Sequence, residues 1–284
     1  MSVHKAAERA DSPAGAVPVL MYHSVATGGG TRRFRRFVVH PSDFAAQMEY
    51  LAAAGYHPVT AAELVSCRSG RPLPPRPVVL TFDDAYTDFY SAALPVLRAN
   101  GFRATLYVPT AYVGSTTRFN ASVGEQNRAV LSWQALLDVA AEGMEVAAHS
   151  HTHPQLDRVP RMVITDEVHR SRALLEDKLG LAVDGFAYPY GYWNRGVRAA
   201  IAAEGYRYAC AVDEFMTGPS DDVLALPRLT VNAGIGVGGL AHLLQARSGR
   251  GGRRLAPAKR LAWRAMRNAV PPVGGNPQEG RPGT

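Results

Sequence analysis

Short apolar runs alternate with amphipathic stretches along most of the chain. Residues 17–25 (VPVLMYHSV), 78–82 (VVLTF), 104–108 and 144–148 are bounded by Gly, Pro or polar residues. Runs of this length, rich in Val and Leu, predict buried strands. Residues 185–188, 206–212 and 224–231 extend the series. Helical stretches with start and stop signals lie between them. Ser42 caps a helix to Ala54 with Gly55 as its stop, Thr60 caps a short helix (AAELVSC), and Asn194 caps a helix to Glu204. Further helices are predicted over 88–100, 132–142, 165–179 and 240–246. A Pro-rich linker (RPLPPRP) and a polar stretch over 110–130 interrupt the pattern, and the second is long enough to suggest a role at a site.

This order of about seven strand–helix alternations predicts parallel strands joined by crossover helices. A length of 284 residues suits a single (β/α) barrel, with an open doubly wound sheet as the structural alternative. The predicted organisation is a disordered leader over 1–16, a folded domain over 17–245 and a basic tail over 246–284.

Composition narrows the class. With 46% hydrophobic residues the chain is not disordered as a whole. No run approaches eighteen apolar residues, so no membrane-spanning helix is expected. Residues 1–16 lack a continuous apolar core, so a cytoplasmic protein is expected, with peripheral contact at the inner membrane face as a further expectation. Cys67 and Cys210 alone cannot make a disulfide framework. The net charge of +7 is unevenly spread: residues 247–284 hold nine of the 31 basic residues and one of the 24 acids. The remainder is close to neutral apart from Arg32, Arg33, Arg35 and Arg36, so general nucleic-acid binding is not expected. In the tail, Leu255, Leu261, Ala262 and Met266 fall on one helical face, with Trp263 and several basic residues beside it. That pattern suits an anionic membrane surface, and a solvated tail is the alternative.

Three polar clusters end predicted strands: Thr81-Phe82-Asp83-Asp84, His149-Ser150-His151-Thr152-His153-Pro154, and Tyr188-Pro189-Tyr190-Gly191. Sites of parallel α/β folds gather at the carboxyl ends of strands. Adjacent aspartates leaving a strand point apart, so one can bind a metal while the other accepts a proton, although an isolated Asp-Asp pair also suits a cap or turn. His149 and His153 have the i, i+4 spacing common in metal sites, and two His with one Asp leave coordination positions open. His151 is expected to point away. The Gly234–Gly239 run matches a dinucleotide-binding pattern only formally and reads as a flexible loop. The sequon at Asn120-Ala121-Ser122 carries little weight.

With these residues in view, the chain resembles the polysaccharide deacetylase (NodB-homology) family over roughly residues 17–245, through Thr-Phe-Asp-Asp, His-Ser-x-x-His-Pro and the aromatic Pro-Tyr-Gly segment. The resemblance implies a distorted (β/α) barrel and metal-dependent removal of acetyl groups from N-acetylated sugars. Asp83 would be the general base, Asp84, His149 and His153 would hold a divalent metal, zinc by default on ligand type, and the Tyr190 N–H would help stabilise an oxyanion. The implied partner is an acetylated carbohydrate. Three positions depart from the family pattern. Ala85 replaces a usual Gly, a mild change. Ala187 stands where many members carry an arginine that orients the base, and Arg228 is the candidate replacement. Most members also supply a late Leu-x-His as general acid; here the only late histidine is His242, inside an amphipathic helical stretch where a structural role is expected. His23, at the end of the first predicted strand, is the expected general acid, because first and last strands of a closed barrel are neighbours; a core histidine is its alternative. The first-strand Tyr-His and the Phe-Ala-Tyr-Pro-Tyr-Gly segment are similar to the poly-N-acetylglucosamine deacetylase branch. A deformylase or other amidohydrolase, and a non-catalytic carbohydrate-binding barrel, are the alternative readings.

Overall fold

The structure, a computed structural model, describes residues 15–245. Most of the leader and the whole of the basic tail, with its expected membrane contact, lie outside the described residues. In chain order the first elements are β1 (Val19–Tyr22), β2 (Ser24–Val25), β3 (Val38–Val39), α1 (Pro41–Ala53), β4 (His57–Val59) and α2 (Ala61–Ser66). Next come β5 (Pro77–Phe82), α3 (Leu94–Ala99), β6 (Thr105–Val108), α4 (Trp133–Ala141) and β7 (Glu145–Ala148). The last are α5 (Arg161–Leu179), β8 (Gly185–Ala187), α6 (Arg195–Glu204), β9 (Tyr208–Cys210), β10 (Leu229–Thr230) and α7 (Val237–Leu243).

Seven strands follow the order β10-β1-β5-β6-β7-β8-β9, every pair parallel. β4 adds to the start of β5 on the side away from β1. The sheet curls until its two edges meet at a single bridge, Cys210 to Leu226, just before β10. Two hydrogen bonds make that seam, from the Ala211 N–H to the Leu226 carbonyl and from the Leu226 N–H to the Ala209 carbonyl, each 2.8 Å. The result is the expected distorted barrel. No helix among the described residues is long and apolar enough to cross a membrane.

The two-residue period of the strands sorts their side chains into two cores. Leu20, Tyr22, Leu80, Phe82, Leu106, Val108 and Phe186 face the helices and pack with Phe44, Met48, Leu97, Leu136, Val168 and Ile201. Val19, Val79, Tyr107, Ala147, Ala187, Tyr208 and Cys210 fill the barrel with Leu226. At the amino-terminal end α2 closes the interior with Ala61 and Leu64. The partly buried Glu145 carboxylate accepts there from the Tyr208 hydroxyl (2.7 Å), the Thr105 hydroxyl (2.8 Å) and the Ala62 N–H (3.0 Å). These bonds satisfy the carboxylate and one of the free N–H groups at the start of α2. The opposite end, where β1, β5, β7 and β8 finish, stays open for chemistry.

Several expected boundaries shift for identifiable reasons. The run over 17–25 divides at His23, because β1 pairs with β5 and β10 whereas β2 leaves to pair with β3. Ala16 is already buried and Val17 bridges Thr217, so the leader ends earlier than residue 16. The helix expected over 88–100 opens with a wide π turn, Phe89–Ala93, before α3, and Pro95 stands in the first turn of α3. Pro227 interrupts the strand expected over 224–231, leaving a short helical turn at Val223–Ala225 and the two-residue β10. α5 begins at Arg161, four residues before the expected start. The glycine run expected to be a flexible loop is in part the first turn of α7.

Candidate metal centre and active site

The end of β5 carries both aspartates. Asp83 remains in the ladder, its N–H donating to the Tyr22 carbonyl at 3.1 Å. Asp84 and Ala85 then take left-handed backbone conformations (φ 74° and 51°), which turn the chain and separate the two carboxylates. The Ala85 change is therefore not mild: its Cβ sits where a glycine would be free of strain.

Arg228 grips Asp83 with both ends of its guanidinium. Nη1 donates to Oδ1 at 2.6 Å and Nη2 to Oδ2 at 2.8 Å. Nη1 also reaches the Thr81 hydroxyl (3.2 Å), and Nε donates to the Ala211 carbonyl (3.2 Å). Arg228 has no exposed surface. Burial alone would favour protonated Asp83, but the Arg228 charge and its hydrogen bonds outweigh it, with help from His149. The carboxyl is held well below the usual range and stays ionised at neutral pH.

Asp84 has a different environment. Its Oδ2 accepts from the Tyr86 hydroxyl at 2.8 Å, and that hydroxyl accepts from the Asn120 amide at 3.0 Å. Asn120 is buried in this chain, which explains why its sequon carries no accessible amide. Oδ1 is buried without a partner. It lies 3.4 Å from Nε2 of His153 and 3.6 Å from Nε2 of His149, and the two Nε2 atoms are 3.2 Å apart. Nδ1 of His149 lies 2.8 Å from the Ala187 carbonyl, which places the proton on Nδ1 and leaves the Nε2 lone pair facing Asp84. Burial and the neighbouring Asp83 push the Asp84 carboxyl up to about 7. Burial lowers the affinity of His149 and His153 for protons. An orphaned carboxylate oxygen facing two neutral imidazole nitrogens, with ligand atoms all within 4.8 Å of one another, fits a divalent cation of the zinc type.

The histidine loop is held by a residue that the sequence patterns did not reveal. Glu167, buried on α5, accepts from the N–H groups of His151 (2.8 Å) and Thr152 (2.7 Å) and from the Thr152 hydroxyl. The loop bends through left-handed Ser150 and His153, and the Ser150 hydroxyl accepts from the His153 N–H at 3.0 Å. A signal was present: Glu167 shares the buried face of α5 with Ile164, Val168, Ser171 and Leu175. His151 points away, its Nδ1 2.8 Å from the Thr110 hydroxyl. Glu167→Ala is expected to weaken zinc binding about tenfold, the low end of the cost of losing a direct partner of metal ligands, because this carboxylate holds the backbone between the two histidines and not their rings. A competitive chelator titration measures it, and unchanged affinity would mean the loop holds its shape without the carboxylate.

His23 lies between β1 and β2 and is partly buried, its ring 4.6 Å from that of Phe37. It feels the charges of Asp83 and His149, and burial, the largest influence, brings its affinity down to about 4. Asp88, expected only as a helix start, fixes the following strand by accepting from the Ser24 hydroxyl (2.6 Å) and the Val25 N–H (3.0 Å). Arg128, from the long polar stretch, pairs with Asp88 at 3.1 Å and spans to Glu125. Tyr190 stands in the turn after β8 with φ 60°, followed by Gly191 at φ 73°. A Cβ on Gly191 would meet Val212 at 2.6 Å, so two left-handed residues and a close approach explain the Pro-Tyr-Gly sequence. The Tyr190 ring rests 4.8 Å from His153 and stacks near Tyr192, whereas Trp193 packs on Tyr188. Trp193 is thus part of the packing.

A buried carboxylate held by arginine thus stands beside an Asp-His-His group that could hold a cation, at the carboxyl ends of a parallel barrel, an arrangement suited to metal-assisted hydrolysis. The chain matches the polysaccharide deacetylase family profile over residues 70–209. The Bacillus subtilis protein YxkH, named for the polysaccharide deacetylases, is 26% identical over 221 residues, covering 77% of this chain and 72% of its own. A Staphylococcus epidermidis poly-beta-1,6-N-acetyl-D-glucosamine N-deacetylase is 24% identical over 212 residues, covering 72% and 71%. The Streptococcus pyogenes deacetylase PplD shares the fold, with a TM-score of 0.69 at 24% identity over 81% of this chain and 98% of that one. The chain carries a polysaccharide deacetylase domain and is a hydrolase of amide carbon–nitrogen bonds.

Proposed function

We propose that the protein removes the acetyl group from an N-acetylated amino sugar of the N-acetylglucosamine type, with Asp84, His149 and His153 holding a divalent cation. Zinc is the default on donor type. The observation that carries this reading is the pairing of that cation site with an ionised, arginine-held Asp83 next in sequence. When bound, the cation polarises the amide carbonyl and lowers the pKa of water.

Asp83 is the general base: its carboxylate takes the proton of the attacking water. Arg228 keeps it ionised and fixes its direction, doing from β10 what Ala187 cannot do from β8. The Tyr190 N–H supplies a fixed dipole for the oxyanion. His23 is neutral in the resting site. It serves as the acid by taking from Asp83 the proton that came from the water, then passing it to the leaving nitrogen, so that a free amine and acetic acid, which ionises to acetate, result.

Acetate release from free, oligomeric and polymeric N-acetylglucosamine, by metal-stripped and zinc-reloaded protein, tests the reading. Release restored by zinc is the expected result. Tight zinc binding with no acetate from any sugar would move the reaction to another acyl group, and formate release would identify a deformylase.

A further inference from the structure

The sequence Arg32-Arg33-Phe34-Arg35-Arg36-Phe37 repeats two arginines and a phenylalanine. Its backbone turns through bonds from the N–H groups of Phe34 and Arg35 to the Thr31 carbonyl, followed by a short helical turn at Arg35–Phe37. Both phenylalanines are anchored at the active site. The Phe34 ring lies 5.8 Å from that of Tyr86, whose hydroxyl donates to Asp84. The Phe37 ring lies 4.6 Å from His23. The Ala233 N–H ties the turn to the segment after β10, the neighbour of β1, through the Arg36 carbonyl, at 2.6 Å.

The arginines occupy the remaining positions and are all exposed. Among the described residues none of the four forms an ion pair with a carboxylate. Nearby Asp88 and Glu125 are already engaged by Arg128. The Arg36 guanidinium lies 4.5 Å above the Phe37 ring, the same ring that touches His23. Arg118 is also exposed, next to Phe119, whose ring is 4.3 Å from that of His153. A catalytic mouth with clustered, uncompensated guanidinium groups suits a multivalent oxyanion, because planar forks match phosphoryl oxygens. Anchoring by two rings on site residues puts this charge beside the site rather than on a remote surface.

We propose that segment 31–37 is an anion-binding rim that selects acetamido sugars carrying a phosphate or diphosphate substituent, its arginines seating the phosphoryl oxygens while the acetamido group enters the Asp84-His149-His153 centre. This rests on the deacetylase reading of that centre.

The test uses the zinc-reloaded full chain and a variant combining Arg32→Gln, Arg33→Gln, Arg35→Gln and Arg36→Gln, which keeps both phenylalanine anchors. Substrates are methyl N-acetylglucosaminide, N-acetylglucosamine 1-phosphate, its uridine diphosphate conjugate and a lipid-linked sugar diphosphate in detergent. The kcat/KM ratio of phosphorylated to neutral sugar is expected to be at least about tenfold, and to fall toward one in the variant or in high salt. Preference among the three phosphorylated compounds identifies the source of the phosphate. Equal turnover of neutral and phosphorylated sugars, or a ratio retained in the variant, overturns the rim while leaving the deacetylase standing. If no sugar releases acetate, calorimetric binding of N-acetylglucosamine 1-phosphate decides: binding lost in the variant supports the rim, and no binding by the parent overturns it. Variant-sensitive adsorption to phosphatidylglycerol vesicles, without preference for the sugar phosphates, would also overturn it and assign the arginines to a membrane.

Discussion

His153→Ala is expected to abolish zinc retention and acetate release together, whereas Asp83→Asn keeps the zinc and loses turnover. Among the described residues His153 supplies one of three atoms that could hold the cation, and its Nε2 faces the orphaned oxygen of Asp84 at 3.4 Å. Losing it should cost more affinity than the roughly 10–100-fold typical of an outer partner. Asp83 is not one of those three ligands, so its amide analogue preserves them. The amide oxygen can still accept one hydrogen bond from Arg228, but it cannot take a proton from water. A fall in kcat of about 10²–10⁴-fold is expected. Metal content after dialysis and acetate release on the same samples measure both effects. Full turnover by Asp83→Asn would remove it as the base, and zinc retained at wild-type affinity by His153→Ala would remove that histidine from the centre.

Arg228→Ala should produce the largest loss of stability of any single replacement in the site. The guanidinium is wholly buried and makes four hydrogen bonds, two of them to Asp83. Without it the Asp83 carboxylate is left charged in an apolar barrel, and breaking a buried pair in this way costs about 3–5 kcal/mol. The same pair is weaker evidence of net stability than its geometry suggests, since desolvation opposes it. Hence Arg228→Met combined with Asp83→Asn is expected to recover much of the loss, because no unpaired charge remains, while staying inactive. Urea unfolding of the two proteins separates the effects. A loss below about 1 kcal/mol for Arg228→Ala, the scale of an exposed ion pair, would show that water reaches Asp83.

The site was unevenly legible in the sequence. Asp83, Asp84, His149 and His153 stand out because each pair is close in sequence and follows an apolar run that becomes a strand. Arg228 could be named only by noticing what Ala187 lacks, and its contact with Asp83 spans 145 positions. Glu167 and Asp88 were invisible as supports because their partners are backbone N–H groups and hydroxyls of other segments, which leave no mark on spacing. β3 and β4 were missed for a similar reason. Two or three residues, one a proline in β4, cannot display a period, and neighbours in the sheet decide their conformation.

By itself the sequence determined the alternation of strands and helices, the end of the barrel where chemistry gathers, and the residue types of a cation site. These depend on local periodicity, caps and short motifs, which act over a few residues. Only the tertiary structure decided which oxygen of Asp84 stays unpartnered, which guanidinium holds Asp83, and that Phe34 and Phe37 carry four arginines to the mouth. Those outcomes depend on the curl of the sheet, which joins β10 to β1 and the Leu226 seam to β9. Closing the barrel brings residues from both ends of the chain within hydrogen-bond distance, and a linear pattern does not encode that distance.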